Sequence, residues 1–192
     1  MTNITDTTEV EETKKPFYKK EIFIGACDVV ALLIIAGLIA LFVYNSSPKI
    51  QYQPAVACNY FTTEEAVEML GDGAIATNNG QPVLNGDLAT SKCGYADGNA
   101  DTNALKVIAV IVRSGVNDKG VAQNKEEFTN GIPTIGVDAV QDIGDKAYFN
   151  NVNGQLNVLK GNNWFIISDG IGATPEQNTK DDAIAVAKLV LK

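Results

Sequence analysis

Three cysteines, a row of side-chain oxygens and a pair of aspartates are the residues of this chain whose types and spacing invite chemistry. Cys27, Cys58 and Cys93 form no C-x-x-C pair. That spacing excludes a zinc ribbon or a thioredoxin-type redox motif. Cys58 follows Ala55-Val56-Ala57, a loose A-x-A cleavage site or lipobox, and it precedes what reads as a helix start. It is therefore either a processing and lipidation point or a cysteine of a folded domain.

"DGNADTN" spaces oxygens at Asp97, Asn99, Asp101 and Asn103. Calcium takes 6 to 8 oxygen ligands, so alternation of this kind suits a calcium loop. An EF-hand loop starting at Asp97 would need Gly at 102 and Glu at 108, where the chain has Thr102 and Ile108. The motif fails, and a solvated turn between strands explains the residues. No metal site is expected.

Asp142 and Asp145 stand close together in "DIGDKAYF". Paired carboxylates do acid–base work when their environments push their pKa values apart. Turn chemistry before a strand accounts for both more simply. Trp164, Phe165 and Tyr148 would line either a ligand groove or, at strand spacing beside Ile166 and Ile167, the core. The chain has no histidine. That removes the usual general base, the commonest metal ligand and the Ser/His/Asp arrangement together. The glycines fall in turns rather than in a phosphate-binding loop. No catalytic residue and no cofactor are expected. A net charge of −8 argues against nucleic acid as a partner.

These residues need elements to position them. Residues 1–21 are polar, rich in Thr, Glu and Lys, and carry no apolar period; they read as a disordered cytoplasmic tail. Residues 22–44 are apolar with Asp28 as the only charge. A membrane helix needs about 20 residues to cross about 30 Å, so this run reads as a single transmembrane helix. It is too long for a signal-peptide core of about 7 to 15 residues. Lys14, Lys15, Lys19 and Lys20 precede it, and only Lys49 follows closely. The positive-inside rule then puts the N-terminus in the cytoplasm and the rest outside. Asp28 has two readings. It contacts a cationic residue of a partner helix, or it sits wet at the cytoplasmic interface, with the hydrocarbon starting near Val29.

Residues 45–57 read as a Pro-containing linker, and 58–192 as an extracytoplasmic domain. A lipobox should directly follow the apolar run; here this linker intervenes. Thr62 and Glu65 form a capping box for a short helix over 63–70, closed by Gly71. Short strands are expected around 74–77 and 92–96, between turn signals. "ALKVIAVIVRS" is a β-branched run and reads as the central strand. Helical spacing follows in "KGVAQNKEEFTNG". Then come three meander strands, "KAYFNNV", "QLNVLK" and "NWFIIS", the first two around Asn153-Gly154. A C-terminal helix carries Ala183, Ile184, Ala187, Val190 and Leu191 on its apolar face; Thr174 or Thr179 caps it. The fold class is α+β, a mainly antiparallel sheet with an N-terminal short helix and a C-terminal helix.

"ACNYFTTEEAVEMLG", then "CGYADG", then "VDAVQDIGDKAYF", then an aromatic strand and an amphipathic helix occur in an order that resembles a family of Gram-positive cell-envelope lipoproteins of unknown function. The resemblance covers residues 58–191 and implies a domain similar to the PsbP-like α-β-α sandwich. It pairs Cys58 with Cys93, places Thr62, Glu65 and Leu70 in the first helix, and places Ile143, Gly144, Asp145 and Ala147 at the turn before the meander. It implies no catalytic residue. The family carries a separate lipobox cysteine upstream, which this chain replaces with an apolar helix. Outside the cytoplasm a Cys58–Cys93 disulfide is permitted and would stabilise by about 3 to 4 kcal/mol; two free buried thiols are the alternative. Cys27 is left over in apolar surroundings.

The resulting expectation is a single-pass, membrane-anchored extracytoplasmic domain of the cell envelope that binds an envelope protein or a small ligand, or serves a structural role, and is not an enzyme. The alternative is a subunit of a membrane complex or pilin-like filament assembled through the N-terminal helix.

Overall fold

The computed structural model describes residues 33–39, 49–78, 80–100, 105–171 and 178–192. The chain divides into two compact units, residues 1–47 and 48–192. In the first, residues 33–39 are helical, with Leu33, Ile34, Ile35, Leu38 and Ile39 all exposed. No helix among the described residues is long and apolar enough to cross a membrane. The expectations on the tail, on Cys27, on Asp28 and on most of the apolar run lie outside the described residues.

The second unit is α+β, with a mainly antiparallel sheet. It opens with a single 3-10 turn at Ala57–Asn59 and helix α1, Thr63–Leu70. Strands β1 (Ala74–Ala76), β2 (Val83–Asn85), β3 (Leu88–Asp97) and β4 (Lys106–Gly115) follow. Then come α2 (Asp118–Asn130), β5 (Val137–Val140), β6 (Lys146–Asn150), β7 (Gln155–Lys160), β8 (Asn163–Ile171) and α3 (Lys180–Val190). The sheet order is β1-β3-β4-β8-β7-β6-β5, with β2 also on β3. Every described pairing is antiparallel.

Local chemistry sets the helix ends. Thr62 accepts from the Glu65 backbone N–H, and the Glu65 carboxylate accepts from the Thr62 N–H at 2.9 Å. Two otherwise orphaned donors are thus satisfied by one another's residues. Gly71 ends the helix at φ +86, a value that favours glycine. Asn117 caps α2 by accepting from Gly120 N–H, and Thr179 caps α3 by accepting from Asp182 N–H.

Alternation then sorts the sheet's two faces. Ile108, Val110 and Val112 of β4, with Phe165 and Ile167 of β8, are buried against Ala66 of α1 and Ala183, Val186 and Val190 of α3. Burying a side chain of this size stabilises by roughly 1.5 to 3 kcal/mol, so this layer dominates the core. On the opposite face Phe128 of α2 packs on Tyr148, Leu159 and Trp164. Helices therefore cover both faces.

Three features depart from the sequence reading. β2 and β5 are strands where none was expected. Residues 49–57 are not a free linker but a strap on the domain: Gln51 and Tyr52 donate to Val116 O, Ala55 N–H to Ser114 Oγ, and Ala57 N–H to Ser91 Oγ. Ala55 and Ala57 are buried, so the folded unit begins before Cys58. The physical reason is that a polar-looking strap satisfies its backbone on buried serines, a pairing that composition does not reveal.

Candidate functional site

The stretch "VDAVQDIGDKAYF" builds a groove. β5 leads into the turn 141–145, and β6 leads out of it. Gly144 sits at φ +61, where a Cβ would stand 2.5 Å from Val158 Cγ1 and 2.6 Å from Leu159 O. Only glycine fits there. The next residue latches the turn to the β7–β8 hairpin: Asp145 N–H donates to Leu159 O at 2.7 Å, and the Asp145 carboxylate accepts from Gly161 N–H at 2.8 Å. Ile143 is buried as a plug in the main core. Pinned on both sides, the turn holds Asp142 at φ +61. This is the left-handed region, uncommon for a residue with a side chain but tolerated by Asp.

The groove between this turn, β5 and the end of α2 has a volume of about 440 Å³, within the range of small-ligand clefts. Phe128, Ile132, Val137 and Tyr148 make its apolar walls, and Asp142, Asp145 and Lys146 stand at its polar margin. Phe128 is held from behind by Tyr148 at 5.2 Å and by Trp164, edge-on, at 5.7 Å. Trp164 is fixed in turn by its indole N–H, which donates to Asn157 Oδ1 at 3.1 Å, and by Arg113 over its ring at 5.6 Å. Glu127 binds that arginine, which holds its carboxyl below the usual carboxylate range. Burial pushes the Tyr148 phenol up, so it stays neutral at physiological pH. A second hollow over β2 and β3 is lined by polar groups such as Asn78, Thr90 and Lys92, with no aromatic wall.

The residues singled out from sequence separate. Asp142 and Asp145 do lie together, but Asp145 is engaged in the turn latch. Trp164 and Phe165, adjacent in sequence, go to opposite faces: Phe165 to the main core and Trp164 behind the groove. Asp97 accepts from Asn99 N–H, closing a turn on itself. Among the described residues, no three Cys, Asp or Glu side chains gather as metal ligands. Cys58 and Cys93 form a disulfide, with Cα atoms 5.0 Å apart. It ties the 3-10 turn before α1 to β3, far along the sheet from the groove. Gly80 packs on it so closely that a Cβ would stand 2.8 Å from Cys58 Sγ.

Sequence reasoning missed Phe128 and Ile132 as groove walls, because they reach β6 only through tertiary packing. It also missed Asp169. This fully buried carboxylate has Lys106 Nζ at 3.2 Å. Burial pushes its pKa up, Lys106 pulls it down, and Asp182 on α3 adds to the rise. Neither of these two hollows is lined by the pair. No protein-family model, no curated protein and no solved structure matches the chain.

Proposed function

We propose that the chain is a single-pass, membrane-anchored extracytoplasmic domain of the cell envelope that binds rather than catalyses, similar to the Gram-positive envelope lipoproteins its motifs resemble. The groove carries this reading. The motif "VDAVQDIGDKAYF", one of those that carry the resemblance, supplies most of its wall. Its apolar walls with a few polar groups at the margin suit binding. Its described lining contains no Ser, Thr or Cys that a neighbouring base could activate. The anchor is supported by the apolar run 22–44 and by the lysines before it. The Cys58–Cys93 disulfide suits an oxidising compartment.

The test is site-specific photocrosslinking in intact cells. A photoreactive amino acid at Ala139, exposed in the groove, is expected to give a discrete adduct. The same amino acid at Val83, exposed on the opposite edge of the sheet, is expected to lack it. Equal products at both positions, or none at Ala139, would remove the groove as a binding site. Alkylation that reaches Cys58 and Cys93 without prior reduction would remove the extracytoplasmic assignment.

A further inference from the structure

We infer that the groove and the outer edge of β5 together form one site, whose occupant is an extended polypeptide segment of a partner protein, held by strand addition. This rests on the binding reading above and deepens it. β5 is the last strand of the sheet, paired with β6 on one side only. Among the described residues no backbone hydrogen bond reaches the backbone of Val137–Val140 from the side away from β6. An unpaired edge presents N–H and C=O groups at strand spacing. A ligand with a peptide backbone satisfies that pattern along its length; a small apolar molecule does not.

Sheet edges are commonly guarded by lysine, proline or an inward charge. β5 has no lysine and no proline. Its one charge, Asp138, is taken up by Lys180 at 3.1 Å. The exposed position facing the groove is Ala139, which leaves room. An added strand would place alternate side chains over the groove, where Ile132 and Tyr148 suit an apolar one. Asp142 and Asp145 outnumber Lys146 at the margin, which favours a cationic neighbour. Ile135 and Val152, 78 % and 72 % exposed, extend the apolar surface past the start of the strand.

The test uses the full-length protein in lipid nanodiscs. A displayed library of short random linear peptides is panned against it and against empty nanodiscs. Enriched peptides are expected to combine apolar and Lys or Arg residues. Their binding should slow amide exchange at Val137–Val140 by at least about tenfold. N-methylating one alternate set of peptide amides should weaken binding about tenfold, and methylating the other set should leave it unchanged. Ala139→Arg should abolish binding without lowering the melting temperature. No enrichment over empty nanodiscs overturns the inference. Enriched peptides that ignore methylation and leave β5 unprotected also overturn it; if Ala139→Arg still abolishes their binding, the groove survives as a binding site, and if not, both readings fall. Protection of β5 by self-association without peptide would replace the partner with a second copy of this chain.

Discussion

Lys106 holds its ammonium 3.2 Å from the carboxylate of Asp169, a group with no solvent-exposed surface. The approach lies outside hydrogen-bond geometry, and among the described residues neither carboxylate oxygen accepts a hydrogen bond. The buried charge thus leans on one lysine, itself 32 % exposed. Removing that partner strands the charge. Lys106→Met is expected to cost about 2 kcal/mol at neutral pH, less than a fully buried pair would lose because water reaches the lysine. Adding Asp169→Asn should recover most of the loss. Denaturant midpoints of the single and double variants check this; a double variant no more stable than Lys106→Met would refute it.

The same pair has a pH signature. The Asp169 pKa is raised above its ordinary 3.8 by burial. The folded state therefore holds the proton more tightly than the unfolded chain. Its contribution to stability is complete below the unfolded pKa and is lost as pH rises through the folded one. Lys106→Met raises the folded pKa further. The variant's deficit relative to the parent should shrink as the solution is acidified from neutral toward the Asp range. Taking the difference between the two proteins cancels the opposite dependence from Asp87, Glu127 and Asp138, all lowered by cationic partners. A deficit constant across that range would mean that Asp169 is not the titrating group.

The disulfide closes a loop with a sequence separation of 35. Chain entropy puts the stabilisation from such a cross-link at about 4 kcal/mol. The Cys58→Ala, Cys93→Ala double variant should lose about that much in chemical denaturation. Photocrosslinking at Ala139 should persist under native conditions, because the groove is built from residues outside the loop. Loss of the groove adduct in a variant that is still folded would show that the disulfide supports the groove.

Two glycines with nearly the same backbone angle separate strain from crowding. Gly86 has φ +60 and nothing within 4 Å of a added Cβ; Gly144 has φ +61 with Val158 and Leu159 inside contact distance. Gly86→Ala should cost about 1 kcal/mol from the left-handed conformation alone. Gly144→Ala should cost about 3 kcal/mol, since overpacking adds to the strain, and it should loosen the Asp145 latch. Equal losses at the two positions would mean that the turn yields to the methyl group.

What was legible in the sequence follows how far each signal reaches. The Thr62–Glu65 box and Gly71 specify α1 within a few residues, and the structure places it at Thr63–Leu70. The β-branched run became β4, an interior strand. β5 escaped notice because "VDAV" is too short for alternation to register; its partner strand, not its own pattern, makes it a strand. The strap escaped because its anchors, Ser91 and Ser114, are buried serines that look like any strand serine. The groove was hidden because Phe128 and Tyr148 are distant in sequence and meet only when α2 folds over the sheet. Asp142 was noticed for its carboxylate; its left-handed backbone arises from the latch at Asp145 and could not be read from the residue itself.

Trp164 is the single tryptophan of the chain and stands directly behind Phe128, so its emission reports the seating of α2. Phe128 is 1 % exposed. Phe128→Ala removes the ring between Tyr148 and Trp164 and should cost about 3 kcal/mol. Water would then reach the indole and shift its emission to the red. Ile132, 39 % exposed at the groove wall, is different. Ile132→Ser should change stability by no more than about 0.5 kcal/mol, leave the tryptophan emission in place and still weaken whatever crosslinks through Ala139. A red shift from Ile132→Ser would mean that this wall is part of the second core rather than a surface left open for a ligand.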